Sequence, residues 1–256
     1  MNYIDTHAHL DGPEFDADRD EVVARAKAAG VSHVLVPAID LPSVAGVLAT
    51  CDRYPGFAHP MAGLHPEEVR ADFRDVLAQM RRLLPGRFIA IGEVGLDYYW
   101  SREYEREQLE AFEEQVRWSV ETRLPLMIHC RKAQNEMVAL LRRYGADLPG
   151  GVFHCFTGNV READELLRFD RFALGIGGVL TFKNAKKLKE TVLESPMEYL
   201  LLETDCPYMA PEPYRGKRNQ SSYIQYVAEK IAELKEMSPE EVIAVTEKNA
   251  RDLYGI

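Results

Sequence analysis

The feature that most constrains this fold is a regular alternation of short apolar segments with amphipathic ones along all 256 residues. Residues 33–36 and 200–202 are apolar at nearly every position, which is typical of parallel strands that are covered on both faces. The predicted strands cover residues 3–9, 33–39, 57–64, 88–94, 126–129, 151–156, 172–177 and 200–204. Alternation of this kind predicts an α/β protein with a parallel sheet.

The segments between these strands carry apolar residues at helical spacing. In residues 103–122, for example, Leu109, Phe112 and Val116 fall on one face of a helix. Ser238, followed by Pro239 and two glutamates, is typical of a helix start, and that last helix is expected to end near Gly255. The other predicted helices cover residues 15–29, 103–122, 133–144, 160–169, 184–193 and 221–236.

Eight strands, each followed by a helix, predict one (β/α)8 TIM barrel that occupies residues 1–256 as a single domain. The length is close to the roughly 250 residues typical of that fold. A doubly wound open sheet is the structural alternative. It usually has a glycine-rich first turn, whereas residues 7–11 here read HAHLD. A barrel enzyme carries its site at the C-terminal ends of its strands, so chemically active residues are expected there.

Composition limits the classes of function. The formal net charge of −10 does not suggest a protein that coats nucleic acid, although a local pocket for a few phosphates is compatible with it. No apolar run approaches the roughly 20 residues that span a bilayer, and the N-terminus lacks a signal-peptide pattern. The four cysteines lack paired spacing, which favours buried thiols in a reducing cytoplasm over disulfides, with metal ligation as an alternative. We therefore predict a cytoplasmic protein without a membrane partner; protein partners are not indicated.

Residues that commonly bind metals cluster at the predicted strand ends. His7 and His9 stand two positions apart, and residues i and i+2 of a strand point to the same side, so both imidazoles can face one metal ion. The further candidates are His65, Glu93, His129, His154 and Asp205. For any single one of them, a structural role such as a core histidine, a salt-bridged acid or a turn residue is the alternative. Their joint placement favours a metal site.

These residues form a nitrogen and oxygen ligand set that suits Zn²⁺, Mn²⁺ or Fe²⁺ without a thiolate. The six ligands are His7, His9, Glu93, His129, His154 and Asp205. Six exceeds the three that one catalytic ion commonly takes from protein, so two ions with a bridging carboxylate explain the number better. Two ions about 3.5–4 Å apart can stabilise both oxygens of a phosphodiester displacement. Glu93 is central enough to bridge them, and Asp205 could accept a proton from the attacking water.

Six motifs resemble those of the TatD family of metal-dependent deoxyribonucleases, in that family's order. They are residues 4–11 (IDTHAHLD), 63–66 (GLHP), 91–98 (IGEVGLDY), 128–131 (IHCR), 153–158 (FHCFTG) and 203–208 (ETDCPY). The resemblance implies a TIM-barrel metallohydrolase of the wider amidohydrolase kind that uses two divalent ions, Mg²⁺, Mn²⁺ or Zn²⁺. It also implies exonuclease activity, with DNA ends or single strands as the substrate.

The resemblance also implies roles for individual residues. One ion would be held by His7, His9, Glu93 and Asp205, and the other by Glu93, His129 and His154. His65 is similar to the family's phosphate-contacting histidine. The family often has the residues RNEP where residues 218–221 here read RNQS, and an acidic or polar residue where Ala133 stands. These departures concern substrate contacts and leave the metal ligands intact.

Basic and aromatic residues near the predicted mouth are candidates for substrate binding. The basic candidates are Arg131, Arg215, Lys217 and Arg218, in addition to His65. Arginine fits phosphate with two hydrogen bonds, whereas lysine acts as a point charge. Residues 98–100, which read YYW, could stack on a base or pack within their loop.

The favoured function is a metal-dependent deoxyribonuclease in which Asp205, Glu93 and His65 are catalytic. A small-molecule hydrolase that cuts an amide, lactone or phosphoester with the same two ions is the first alternative, since fold and metal set alone do not exclude it. A non-catalytic metal-binding role is the second alternative, and it predicts bound metal without turnover.

Overall fold

The computed structural model describes residues 2–256 and contains one sheet of eight parallel strands that neighbour each other in chain order. The strands are β1 (Tyr3–Asp5), β2 (Val31–Pro37), β3 (Ala58–Ala62), β4 (Ala90–Asp97), β5 (Leu126–Arg131), β6 (Gly151–Phe153), β7 (Phe172–Ile176) and β8 (Leu200–Leu202). Because helices follow the strands throughout, the predicted (β/α)8 barrel is confirmed.

The helices pack around the sheet. They are α1 (Arg19–Ala28), α2 (Leu41–Arg53), α3 (Phe73–Leu83), α4 (Glu105–Thr122), α5 (Gln134–Arg142), α6 (Val160–Leu166), α7 (Lys186–Glu194), α8 (Ile224–Lys235) and α9 (Pro239–Tyr254). The sequence patterns did not specify α2 and α3. A capping box marks the start of α2, where the Asp40 carboxylate accepts a hydrogen bond from the Ser43 amide at 2.7 Å. No helix within residues 2–256 is both long and apolar enough to cross a membrane.

The barrel closes where the segment after β8 meets the segment after β1. The Asp205 amide donates to the His7 carbonyl at 2.9 Å, and the His9 amide donates to the Cys206 carbonyl at 2.8 Å. These bonds bring three of the predicted metal ligands together at one seam.

Asp5 reinforces this seam from below. Its buried carboxylate accepts hydrogen bonds from the amide and the hydroxyl of Thr204, at 2.9 and 2.6 Å. Burial raises the pKa of Asp5 to about 7, while the hydrogen bonds from Thr204 favour the ionised form. Asp5 and Thr204 therefore fix β1 against β8 directly beneath the metal ligands.

One side chain from each strand fills the barrel interior. These side chains are Ile4, Leu35, Met61, Ala90, Met127, Val152, Ala173 and Leu201, and they form one apolar cluster that Ala250 and Tyr254 of α9 close from one end. A larger apolar cluster lies between the sheet and the helices. The interior is thus a packed core that leaves the opposite end of the barrel for polar residues.

Six of the eight strands end earlier than the sequence predicts, and three of these carry predicted metal ligands just after their ends. Strands β1, β6 and β8 end at Asp5, Phe153 and Leu202, whereas the apolar runs predicted ends at residues 9, 156 and 204. After β6 and β8 the chain leaves the extended conformation, with φ of +46° at Cys155 and +55° at Asp205. The predicted boundaries were wrong because site residues continue the apolar pattern after the ladder has ended.

All four cysteines are free thiols, as the absence of paired spacing indicated. Cys51 and Cys206 are buried, whereas Cys130 and Cys155 are partly exposed, so the prediction of burial is correct for two of the four. None of them belongs to a group of potential metal ligands within residues 2–256.

Candidate metal centre

The six predicted ligands converge above the barrel core. They are His7 and His9 after β1, Glu93 in β4, His129 in β5, His154 after β6 and Asp205 after β8. Glu93 lies at the centre, and only 3% of its surface is exposed. Each of its two carboxylate oxygens faces a different group of ligands, which we call site A and site B.

Site A consists of His7, His9, Glu93 and Asp205. The Nε2 atoms of His7 and His9 are 3.2 Å apart and lie 3.3 and 3.6 Å from Glu93 Oε2. Both Nε2 atoms lie 3.7 Å from Asp205 Oδ1. Four tetrahedral ligands about 2.0–2.2 Å from one ion stand about 3.3–3.6 Å from each other, so these spacings fit a divalent ion.

Site B consists of Glu93, His129 and His154. Glu93 Oε1 lies 3.1 Å from His129 Nδ1 and 2.7 Å from His154 Nε2, and these two nitrogens are 3.4 Å apart. Three protein ligands leave a position open, as catalytic metal sites do. The rings of His7 and His154 stack with centroids 4.0 Å apart, so the two sites lie side by side.

The imidazoles of site A are neutral. Burial lowers the pKa of His7 to about 3 and that of His9 to about 4. Their lone pairs are therefore available to a cation across the physiological pH range. Burial also raises the pKa of Asp205 to about 7.

The surroundings of the site B imidazoles favour their protonated forms. Burial works to lower the pKa of His154, but Glu93 and Glu203 raise it well above its ordinary value. Burial is likewise outweighed at His129, where hydrogen bonds with Asp97 and Glu93 raise the pKa. The pKa of Glu93 is shifted in the opposite direction. Burial raises it, but the surrounding histidines hold it well below the usual range. Protons therefore compete with a cation for the imidazole nitrogens of site B.

Two carboxylates that the sequence analysis did not assign support the imidazoles of site B. Asp97 Oδ2 accepts a hydrogen bond from His129 Nε2 at 2.8 Å, which directs the other ring nitrogen toward Glu93. Glu203 accepts a hydrogen bond from the Cys155 amide at 2.5 Å and lies 3.7 Å from His154 Nδ1. Both acids lie within the motifs at residues 91–98 and 203–208, and that position is the sequence signal that could have found them.

Glycines make room for this arrangement. A Cβ atom at Gly175 would stand 2.1 Å from Glu203 Oε2, and one at Gly95 would stand 1.9 Å from the His129 carbonyl oxygen. Gly95 also has a φ of +143°, which side chains rarely adopt. Both glycines are thus required for the close approach of β4 to β5 and of β7 to Glu203.

His65 lies beside site B. Its Nε2 atom is 3.3 Å from Glu93 Oε1, while Nδ1 accepts a hydrogen bond from the Glu67 amide at 3.2 Å. The side chain is 12% exposed. His65 therefore faces both the metal ligands and the opening of the site, where a substrate would enter.

The predicted substrate-binding residues have different surroundings. The Arg131 guanidinium lies 4.0 Å from the centroid of the Tyr99 ring, on the loop after β4. The Arg218 guanidinium instead forms two hydrogen bonds with the Asp18 carboxylate, at 2.6 and 2.9 Å, and this fixes the segment after β8 to the start of α1.

Arg215 and Lys217 are exposed and lie over aromatic rings. Arg215 is 4.4 Å from the centroid of the Phe182 ring, and Lys217 Nζ is 5.8 Å from that of Tyr214. Neither forms an ion pair with a carboxylate of the metal centre among residues 2–256. Their part in substrate binding stays a prediction.

A closed parallel barrel with a His, Glu and Asp cluster at its C-terminal strand ends defines the class of amidohydrolase-like TIM-barrel metal-dependent hydrolases. Within that class, residues 4–255 match the family of TatD related DNases. The chain therefore belongs to the TatD family, as the six motifs predicted.

Individual relatives span the whole chain. It is 43% identical over 254 residues to YabD of Bacillus subtilis (strain 168), an uncharacterised metal-dependent hydrolase, with 99% of both chains covered. It is 35% identical over 260 residues to the 3′-5′ ssDNA/RNA exonuclease TatD of Citrobacter rodentium (strain ICC168), covering 99% of this chain and 98% of that protein. The crystal structure of YjjV, a TatD homologue from Escherichia coli K12, superimposes with a TM-score of 0.90 at 31% identity, covering 99% and 98% of the two chains.

Proposed function

We propose that this protein is a metal-dependent exonuclease that hydrolyses phosphodiester bonds at the ends of single-stranded DNA. The observation that carries the proposal is the Glu93 carboxylate, which offers one oxygen to each of two adjacent ligand groups. Such a pair of sites suits in-line displacement at phosphorus. The 35% identity to a 3′-5′ ssDNA/RNA exonuclease supports the choice of substrate.

When bound, two divalent ions such as Mg²⁺, Mn²⁺ or Zn²⁺ would activate a water molecule and neutralise phosphate charge. The residues of the chain supply the remaining functions. Asp205, whose pKa burial raises to about 7, is poised to accept the proton of the attacking water near neutral pH. His65 faces the opening and can donate a hydrogen bond to a phosphate oxygen from Nε2. The net charge of −10 favours a pocket for a strand end over binding along a duplex.

The test is a cleavage assay with a panel of substrates. We expect purified protein with Mn²⁺ or Mg²⁺ to shorten a labelled single-stranded oligonucleotide stepwise from one end, and chelation with EDTA to stop the reaction. Glu93→Ala should abolish the activity, whereas Glu121→Ala, at an exposed glutamate of α4, should not change it. Full activity of Glu93→Ala would contradict the dinuclear mechanism.

The same panel separates the alternatives. Amide, lactone and phosphomonoester substrates test the small-molecule hydrolase, which could use the same ligand set. Turnover of one of these without cleavage of any oligonucleotide would replace the nuclease proposal. Bound metal without any turnover would favour a non-catalytic role.

The single domain and the cytoplasmic location stay predictions.

A further inference from the structure

We propose that Tyr99, Trp100 and Arg131 form a stacking site that holds a nucleobase of a single-stranded substrate beside the metal centre. The inference rests on the proposed nuclease function, because it specifies part of the substrate. We call these three residues the stacking cluster. It would select unpaired bases over paired ones, since bases within a duplex are already stacked and their faces are covered.

The aromatic rings of the stacking cluster are unusually exposed. Trp100 is 65% and Tyr99 is 50% exposed, while the other tryptophan, Trp118, is 1% exposed. The two rings meet edge to face, with centroids 4.8 Å apart and an interplanar angle of 83°. A large aromatic surface left in water has no role in the core and is typical of a binding site.

Arg131 adds positive charge to these rings. Its guanidinium lies 4.0 Å from the Tyr99 centroid and 5.4 Å from the Trp100 centroid, and it forms no ion pair within residues 2–256. Arg218, in contrast, is neutralised by Asp18. An arginine whose charge is not compensated, packed on exposed aromatic rings, matches the combination that binds single-stranded nucleic acid, where bases stack and the backbone meets positive charge.

Asp97 fixes the stacking cluster relative to site B. Its Oδ1 atom accepts hydrogen bonds from the amides of Tyr99 and Trp100, at 2.8 and 3.4 Å, while Oδ2 accepts one from His129 Nε2 at 2.8 Å. Arg131 follows His129 by two positions on β5, so both side chains point to the same side of the strand. One carboxylate thus anchors both the aromatic loop and a metal ligand, which places the exposed rings next to the metal centre.

The fluorescence of Trp100 gives a readout that does not depend on catalysis. Trp118 is buried, so a base that stacks on Trp100 should quench the exposed part of the emission. The probe is a short oligothymidylate with phosphorothioate linkages, titrated in Mg²⁺. The matched probe has the same length, linkages and charge but consists of abasic residues throughout.

We expect oligothymidylate to quench Trp100 saturably and to bind about 5–150-fold more tightly than the abasic probe, which is the range that base–aromatic stacking gives. In Tyr99→Ala/Trp100→Ala, binding measured with a fluorescein-labelled probe should fall to the abasic level. Trp100→Phe should retain the affinity but lose the signal. Leu83→Ala, a change at an exposed apolar residue at the end of α3, should behave as wild type.

Two results would overturn the stacking site: equal affinity of the wild type for both probes, or unchanged affinity of the double alanine variant. Metal content of that variant, measured by atomic emission, should equal the wild type, which shows that the metal centre is intact. Cleavage assays in parallel separate the two proposals. A wild type that binds bases through Trp100 but cleaves no oligonucleotide would refute the nuclease and support the stacking site. A wild type that cleaves DNA but binds both probes equally would refute the stacking site alone.

Discussion

Sites A and B share the Glu93 carboxylate but differ in how their imidazoles are held. In site A, His7 is buried and His9 is partly buried, and within residues 2–256 neither Nδ1 atom forms an ion pair with a carboxylate. Burial keeps both imidazoles neutral. In site B, Asp97 and Glu203 stand behind His129 and His154 and favour their protonated forms. The pKa values of the histidines are therefore shifted in opposite directions in the two sites. The imidazoles of site A are neutral before a cation binds, whereas protons compete with a cation at the imidazoles of site B.

The largest expected effect comes from the residue that joins the two sites. Glu93→Gln removes the shared negative charge, so we expect both sites to lose affinity for Mn²⁺ or Zn²⁺ by more than about 100-fold, the loss that outer ligand contacts alone can cause. Calorimetric titration with each metal measures this. Loss of one ion with normal binding of the other would show that Glu93 serves only one site.

The next effect is confined to site A. His7→Ala/His9→Ala removes two of the four ligands of site A and none of site B, so we expect one ion per chain to remain. Metal content after dialysis against Zn²⁺ measures this, with His33→Ala/His59→Ala as the control. His33 Nδ1 and His59 Nε2 are hydrogen-bonded to each other at 2.8 Å, and neither residue belongs to site A or site B. Two ions in the His7/His9 variant would contradict the assignment.

A smaller effect is expected at Asp97. An asparagine at this position keeps one acceptor oxygen, so it cannot serve both His129 and the loop amides that Asp97 now binds. We expect Asp97→Asn to weaken binding at site B by about 10–100-fold and to leave site A unchanged. Competition with a chromogenic chelator resolves the two affinities. An equal loss of metal affinity at both sites would mean that Asp97 stabilises the fold as a whole and does not support site B specifically.

The last expected effect is graded and changes no residue, because it is the dependence of metal affinity on pH. The raised pKa values of His129 and His154 mean that protons compete with metal at site B, so its affinity should fall as the pH is lowered, by about tenfold per pH unit for each displaced proton. In site A only Asp205, with a pKa raised to about 7, holds a proton that competes in this range. Calorimetry in buffers of different ionisation enthalpy counts the protons. If site B released fewer protons than site A on metal binding, the proposed difference between the two sites would be contradicted.

Local rules predicted the relative placement of His7 and His9 well. The i and i+2 spacing of His7 and His9 predicted that they share a side, and their Nε2 atoms are 3.2 Å apart even though β1 ends at Asp5. Ala8, which lies between the two histidines, forms an isolated parallel bridge with Cys206, so strand-like pairing recurs at this point. The strand boundary was wrong, but the periodicity on which the prediction depended is a property of extended backbone alone.

The support of site B could not be predicted in this way. Asp97 meets His129 across 32 positions of the sequence, through the register of β4 with β5, and Glu203 meets Cys155 across 48. The ion pair of Arg218 with Asp18, across 200 positions, was not predicted either. The part of Arg218 in substrate binding stays a prediction. The carboxylate that contacts each imidazole is determined by the strand register and by the path of the loops. A local sequence pattern contains no information about either.

The most direct test of the account is a crystal structure of the Mn²⁺-loaded protein with anomalous diffraction. We predict two peaks about 3.5–4 Å apart, with Glu93 Oε2 bound to the ion held by His7, His9 and Asp205, and Glu93 Oε1 bound to the ion held by His129 and His154. A single fully occupied ion, or two ions of which only one contacts Glu93, would contradict the shared carboxylate on which the mechanism depends.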